Sequence, residues 1–515
     1  MRAVLLRATL AVLLAVGASA DVRLGTPFGD RMVLQRDRAL SVWGTADPGE
    51  SLSVVFATHV VSTRADLLGR WSVELPPLDA SARPRPLQVH GAGGTLRVED
   101  VLVGDVWICS GQSNMRFALA RSTAGAEAAA TATDAGLRWL DLAPRAAPDA
   151  GAFTAEELTL CNPRDYLGGG WSVAGPETAA RFSAVAYHFG RALRDVLGVP
   201  VGLVLNAVGG SPTEAWIRPE LAASAFGFGT GVGSWLDDTK LHPWCRERAS
   251  ENLAGWMDEV LAAADRGELP PPTPGHPFRP GFLYEAGIAP LVGLRPRGVL
   301  WYQGESNGHD PALMRALTGT LIADWRGRFD DPELPFGLVQ LPGMGTAGGY
   351  PAELWPDVRE AQRTLAAELD GVGLVVTIDL GARDDVHPRA KREVGERLAR
   401  WALAEVYGHR SRAPAGPLYY AHLRGEGVVR LFFQHAADGL RAGGGGELRG
   451  FEIAGADGRF LAAQARISGP DTLVVESPDV RDPRWVRYAW APFPDGNLTS
   501  GEGLPAAPFT TEELF

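Results

Sequence analysis

From residue 21 to about residue 98 the chain alternates. Leu40-Ser41-Val42-Trp43 and Trp71-Ser72-Val73-Glu74-Leu75 place an apolar side chain at every second position. Turn signals at Phe28-Gly29-Asp30, Asp47-Pro48-Gly49, Leu68-Gly69-Arg70 and Pro76-Pro77 cut the segment into short pieces. Period-two patterning between turns predicts half-buried strands and a small β-sandwich. From Val101 the pattern changes. The run ending at Ile108 and the segments 199–205, 298–302, 336–341 and 371–378 are almost continuously apolar, as strands covered on both faces are. Between them Phe182, Val185, Phe189 and Leu193 share one helical face, and Val394, Leu398 and Trp401 share another within 389–407. The alternation predicts an α/β module, a parallel sheet with helices on both sides. The Pro-rich stretch 269–280 reads as a surface excursion. From about residue 411 the chain is β-rich again, with strand-like runs at 428–433, 450–453 and 485–491 and turns at 443–446 and Asp457-Gly458.

A chain of 515 residues exceeds one ordinary core, and the patterns divide it at 1–20, 21–100, 101–410 and 411–515. The first twenty residues carry Arg2 and Arg7, a short apolar run from Leu10 to Val16, and Ala18-Ser19-Ala20. They predict a secretory signal cleaved after Ala20, a secreted or periplasmic product, and no membrane attachment after cleavage. The net charge of −12 argues against a nucleic-acid partner, which needs a basic footprint. Three cysteines without C-x-x-C spacing argue against zinc and redox sites. Cys109 reads as a core thiol. Export permits a Cys161–Cys245 disulfide, which spacing alone does not establish. Metalloprotease, phosphate-loop and dinucleotide motifs are absent, so no metal and no organic cofactor is expected.

Four polar clusters follow strands of the α/β module: Gly111-Gln112-Ser113-Asn114, Gly209-Gly210-Ser211, Gln303-Gly304-Glu305-Ser306-Asn307 and Asp384-Asp385-Val386-His387. In a parallel sheet all strand C-termini reach one edge, so the four share a destination. Their composition suits acyl transfer. Ser113 supplies a nucleophile that needs a base, and His387 supplies one that titrates near neutrality. Either Asp384 or Asp385 is placed to orient the imidazole. The N–H groups of Ser113 and Gly209 and the amide of Gln303 are suitable donors to an oxyanion. Asn114, Glu305, Asn307 and Arg359 are candidates for substrate binding or support. For Arg359 a substrate carboxylate and an ordinary ion pair are both open.

These motifs, with Glu214-Ala215-Trp216, Trp301-Tyr302 before Gln303, and Asp-Val-His-Pro at 385–388, resemble the sialate O-acetylesterase family, a branch of the SGNH hydrolases related to acetylxylan esterases. Residues 28–36 resemble the family's N-terminal β module, and 450–455 and 486–490 its C-terminal one. The resemblance implies an SGNH-type parallel sheet flanked by helices and by two sandwich-like β modules. It implies Ser113 as nucleophile, His387 as base, Gly209 in the oxyanion hole, and Gln303 where other SGNH enzymes use asparagine. The superfamily spacing selects Asp384 and closer relatives select Asp385, while some relatives have neither and run on a Ser–His dyad. The implied activity is hydrolysis of O-acetyl esters on carbohydrate, foremost sialic acids. Acetylated xylan or another polysaccharide is the alternative, and a non-catalytic carbohydrate-binding protein is the rival of another class. The oligomeric state stays open.

Overall fold

The computed structural model describes residues 22–229, 234–345 and 352–515. The expected signal segment, 1–20, lies outside the described residues. The protein is a mixed α/β structure with one large mixed sheet and several smaller β-sheets.

The strand Gly94–Gly111 organises the molecule. Its first half alternates exposed and covered positions and pairs antiparallel with Ser81–Gly91 in the N-terminal β module. Its last eleven residues are all buried, and from Asp105 onward it pairs in parallel with Val201–Ala207 on one side and, from Trp107, with Gly298–Tyr302 on the other. Period-two alternation thus gives way to full burial within one strand, as the sheet acquires a second covered face. The division expected at residue 100 falls inside this strand, so the residues on either side of it share one sheet. Asp105, fully buried in the strand, reinforces the junction: it accepts two 3.0 Å bonds from the Arg36 guanidinium.

The sheet runs Trp171–Val173, Leu137–Asp141, Val201–Ala207, Gly94–Gly111, Gly298–Tyr302, Phe336–Val339, Val372–Val375. All but the first are mutually parallel. The sequence pattern did not announce Leu137–Asp141, because Arg138 interrupts its apolar run. Arg138 is nonetheless buried, donating to the Arg31 carbonyl at 3.0 Å and to the Asp100 carboxylate at 2.9 Å. Two helices meet across one face of the sheet, Ala184–Leu197 and Lys391–Glu405. Their buried residues include the predicted Val185, Phe189, Leu193, Val394, Leu398 and Trp401.

The C-terminal part holds two four-stranded antiparallel sheets. One contains Leu418–Gly425, Val428–Gln434, Gln464–Gly469 and Thr472–Glu476; the other contains Phe451–Ala454, Leu461–Ala462, Trp485–Tyr488 and Phe509–Thr510. Val429, Leu431, Phe433, Ile453, Leu473, Val486 and Phe509 pack between them. Cys109, Cys161 and Cys245 are all free and buried, so the permitted Cys161–Cys245 bridge is not formed. No helix among the described residues is long and apolar enough to cross a membrane.

Candidate active site

Three of the four polar clusters leave neighbouring strands. Ala207 and Tyr302 both stand in register with Gly111, so the three chains exit the sheet at the same level. The exit after Gly111 is sharp. Its φ is +128°, and a Cβ there would lie 2.1 Å from the Tyr302 carbonyl oxygen, so only glycine fits. Ser113 then opens a single helical turn, Ser113–Arg116. The exits are laced together. Gln112 N–H donates to the Tyr302 carbonyl at 3.1 Å, Ser306 N–H to Gln112 Oε1 at 3.3 Å, and Ser306 Oγ to the Gly210 carbonyl at 2.9 Å.

The fourth cluster comes from the far side of the sheet. After Val372–Val375 the chain forms the short turn Ile378–Leu380 and returns across the strand ends before Lys391–Glu405 begins. That return brings His387 Nε2 to 2.7 Å from Ser113 Oγ. Burial first, and then the nearby Lys391 charge, hold the His387 pKa below the ordinary imidazole value, with Asp385 acting in the opposite sense. The ring stacks on Phe117 with centroids 6.3 Å apart and planes inclined by 30°.

The two aspartates stand differently from each other. Asp385 Oδ1 accepts the backbone N–H of His387 at 2.8 Å and lies 3.9 Å from Nδ1, beyond hydrogen-bond reach. Its side chain is 54% exposed. Asp384 is exposed and makes no side-chain hydrogen bond or ion pair among the described residues. Asp385 therefore braces the backbone of the histidine loop, not the imidazole itself.

Gly209 sits beside the serine: a Cβ at Gly209 would meet only the Ser113 Cβ, at 3.8 Å. Gln303 is buried and engaged. Its Nε2 donates to Asn307 Oδ1 at 2.7 Å and to the Ser211 carbonyl at 3.4 Å, while Oε1 lies 2.6 Å from Thr213 Oγ1.

Asn114, Glu305, Asn307 and Arg359 are all buried, so none presents a free face to a substrate. Arg359 is a correction. Among the described residues it pairs with no acid. Its guanidinium is fully buried and donates to the carbonyls of Leu341, Pro342, Ala491 and Pro492 at 2.6–2.9 Å. The last two belong to the C-terminal β-rich segment, which Arg359 ties to a strand end of the central sheet. Burial lowers its pKa to about 9.

Two buried carboxylate–amide pairs lie under the site. In one, Asn307 Nδ2 donates to Glu214 Oε2 at 2.8 Å, while Asn307 Oδ1 receives Gln303 and the N–H of Thr213. Burial raises the Glu214 pKa to about 7. In the other, Asn114 Nδ2 donates to Glu305 Oε1 and, at 2.9 Å, to the Val386 carbonyl, while Asn114 Oδ1 receives the Lys391 ammonium. Lys391 was not a candidate in the sequence, although a signal was present. It stands three residues before Val394 and seven before Leu398, on the apolar face of its helix.

The site is a serine–histidine pair over the common ends of a parallel sheet, the arrangement of an acyl-transfer enzyme. The comparisons with known proteins narrow that class. Residues 283–404 match the family model described as carbohydrate esterase, sialic acid-specific acetylesterase. The sialate O-acetylesterase of Homo sapiens is 29% identical over 434 residues, 78% of this chain and 74% of its own. That of Mus musculus is 28% identical over 545 residues, 98% of this chain and 97% of its own. The crystal structure of a carbohydrate acetylesterase from Xanthomonas citri is 35% identical, with a TM-score of 0.77, covering 96% of this chain and 100% of that one. This protein is thus a carbohydrate esterase, an enzyme that hydrolyses O-acetyl esters on carbohydrates. Within that class the chain belongs to the sialate O-acetylesterase family.

Proposed function

We propose that the chain is an exported serine esterase that removes acetyl groups from O-acetylated sialic acids through an acetyl-enzyme on Ser113. In this reading the sheet has the SGNH arrangement, and the regions up to about residue 100 and from 411 onward are accessory β modules. The observation that carries the assignment is the 2.7 Å approach of Ser113 Oγ to His387 Nε2 above three adjacent strand ends.

Ser113 Oγ attacks the acetyl carbonyl carbon and its proton passes to Nε2 of the neutral imidazole. A depressed His387 pKa favours this, because the base is unprotonated at lower pH. The tetrahedral oxyanion takes hydrogen bonds from the N–H groups of Ser113 and Gly209. Gln303 contributes the amide hydrogen now on its long contact with Ser211. His387 returns the proton to the sugar oxygen, and the sugar hydroxyl leaves. A water molecule, deprotonated by His387, then attacks the acetyl-enzyme, releasing acetate and restoring Ser113. Asp385 holds the base's loop in place and Asp384 is outside the machinery, so the reaction runs chiefly on the Ser113–His387 dyad.

The family description and the mammalian relatives support sialic acids as the substrate class. One observation favours acetylated xylan or another neutral polysaccharide instead: Arg359, the arginine considered for a sialate carboxylate, is fully buried with four of its five N–H groups on backbone carbonyls. Hydrolysis of p-nitrophenyl acetate by wild type and Ser113→Ala tests the nucleophile. The expected loss is at least about a thousandfold in kcat/KM, and equal rates overturn it. Acetate release from O-acetylated sialic acid set against acetylated xylan decides the substrate, and a clear preference for xylan refutes the sialate assignment.

A further inference from the structure

The exposed aspartate beside His387 does not bond the imidazole, yet the loop that carries the base is held from below. The Val386 carbonyl, one residue before His387, receives Asn114 Nδ2 at 2.9 Å. Asn114, next to the serine, is itself fixed at both ends of its amide, Glu305 accepting from Nδ2 and Lys391 donating to Oδ1. Asn114, Glu305 and Lys391 are all buried, with no more than 1% exposure each. The Lys391 ammonium also lies 5.2 Å above the Phe117 ring and 5.3 Å above the Tyr302 ring, both favourable cation–π placements. Phe117 is the ring that lies against His387. A buried lysine is costly unless its charge is answered, and here an amide oxygen and two aromatic faces answer it, with Glu305 as a nearby acid.

We propose that Lys391 is the positioning residue of the catalytic base: through Asn114 it fixes the Val386–His387 peptide, and it holds its ammonium on the Phe117 ring against which the imidazole stacks. This rests on Ser113 and His387 acting as nucleophile and base. The charged groups that act on His387 are Lys391 from the following helix, Asp385 from its own loop, Arg121 from the segment after the serine, and Asp149. Lys391 and Arg121 oppose protonation of the imidazole, and Asp385 and Asp149 favour it. Glu305 and Asp385 are the acids that act on Lys391 itself. Burial lowers the Lys391 pKa to about 7. Lys391 therefore carries its charge on the acid side of neutrality.

The sign follows. Removing the lysine charge raises the His387 pKa, so the acid limb of kcat/KM moves to higher pH. Removing Asp385 lowers it, so the limb moves to lower pH. The test is the pH profile of kcat/KM for p-nitrophenyl acetate in wild type, Lys391→Met, Lys391→Arg and Asp385→Asn, normalised to sites titrated with an organophosphate. Lys391→Met is expected to shift the acid limb up by roughly 0.5–1 pH unit and to lower kcat more than it raises KM. Lys391→Arg, which keeps the charge, is expected to return the limb toward wild type. Asp385→Asn is expected to shift it down. A Lys391→Met profile that superimposes on wild type overturns the proposal, even if the variant is less stable, because a merely structural lysine moves the amount of active enzyme and not its pH dependence. If Lys391→Met does not fold, Lys391→Gln, which keeps a donor toward Asn114 without the charge, is read the same way. Ser113→Ala in the same assay separates the two assignments: residual wild-type activity there removes the nucleophile itself, whereas an inactive Ser113→Ala with an unmoved Lys391 profile removes only the role of the lysine.

Discussion

His387 has acids on two sides, and they stand in opposite environments. Asp384 and Asp385 lie on the rim, exposed to water, and only the second makes a bond, to a backbone N–H. Glu305 and Glu214 lie beneath, fully buried, each paired with an asparagine amide that reaches a functional segment: Asn114 to the histidine loop and Asn307 to Gln303. The rim acids are screened and their side chains have alternative partners in solvent. The floor acids are shut off from water, so each fixes one geometry at a high desolvation cost. Orientation in this site therefore comes mainly from the floor, and the acids nearest the histidine in sequence contribute least of it.

The most severe way to break the contrast is Asn114→Ala. It cuts the link to Val386 and leaves both Lys391 and Glu305 with an unanswered bond. A loss of roughly 3 kcal/mol in stability is expected, with at least about a hundredfold lower kcat/KM per folded molecule. Denaturant unfolding and active-site titration check the two parts.

Glu214→Gln sharpens it through pH. The raised pKa of Glu214 means that its contribution to stability is full below the ordinary carboxylate value and is lost as pH rises through about 7. Wild type should lose on the order of 3 kcal/mol between pH 5 and pH 8 from this group, and Glu214→Gln should lose much less. Parallel unfolding free energies for the two proteins across that range contradict the buried-carboxylate account.

The smallest effects are expected on the rim. Asp385→Ala should lower kcat/KM by about tenfold or less, since it frees one backbone N–H. Asp384→Ala should stay within about twofold of wild type. A loss near ten-thousandfold in either variant would restore that aspartate as a full triad member.

The strands that carry chemistry were legible because each combines an apolar run with an abrupt polar exit, as at Ile108 to Ser113 and Tyr302 to Glu305. Leu137–Asp141 was not, because a buried arginine with backbone partners looks polar in the sequence. The division near residue 100 could not be seen as a shared strand, because a change of pattern marks a change of surroundings and not a break in the chain. Arg359 illustrates the same limit. A guanidinium satisfied by four carbonyls from two regions carries no acidic partner in the sequence to announce it.

The amino-acid pattern by itself determined the β, α/β, β succession, the residue types available for acyl transfer and their common edge, since period and strand polarity are local properties. Only the tertiary structure decided which neighbours those residues meet. It set Ser113 against His387 across 274 positions, withdrew Arg359 and Asn307 into the interior, and put Lys391 on the amide of Asn114. Hydrogen bonds and desolvation act over a few ångströms of space, and distance along the chain does not report that separation.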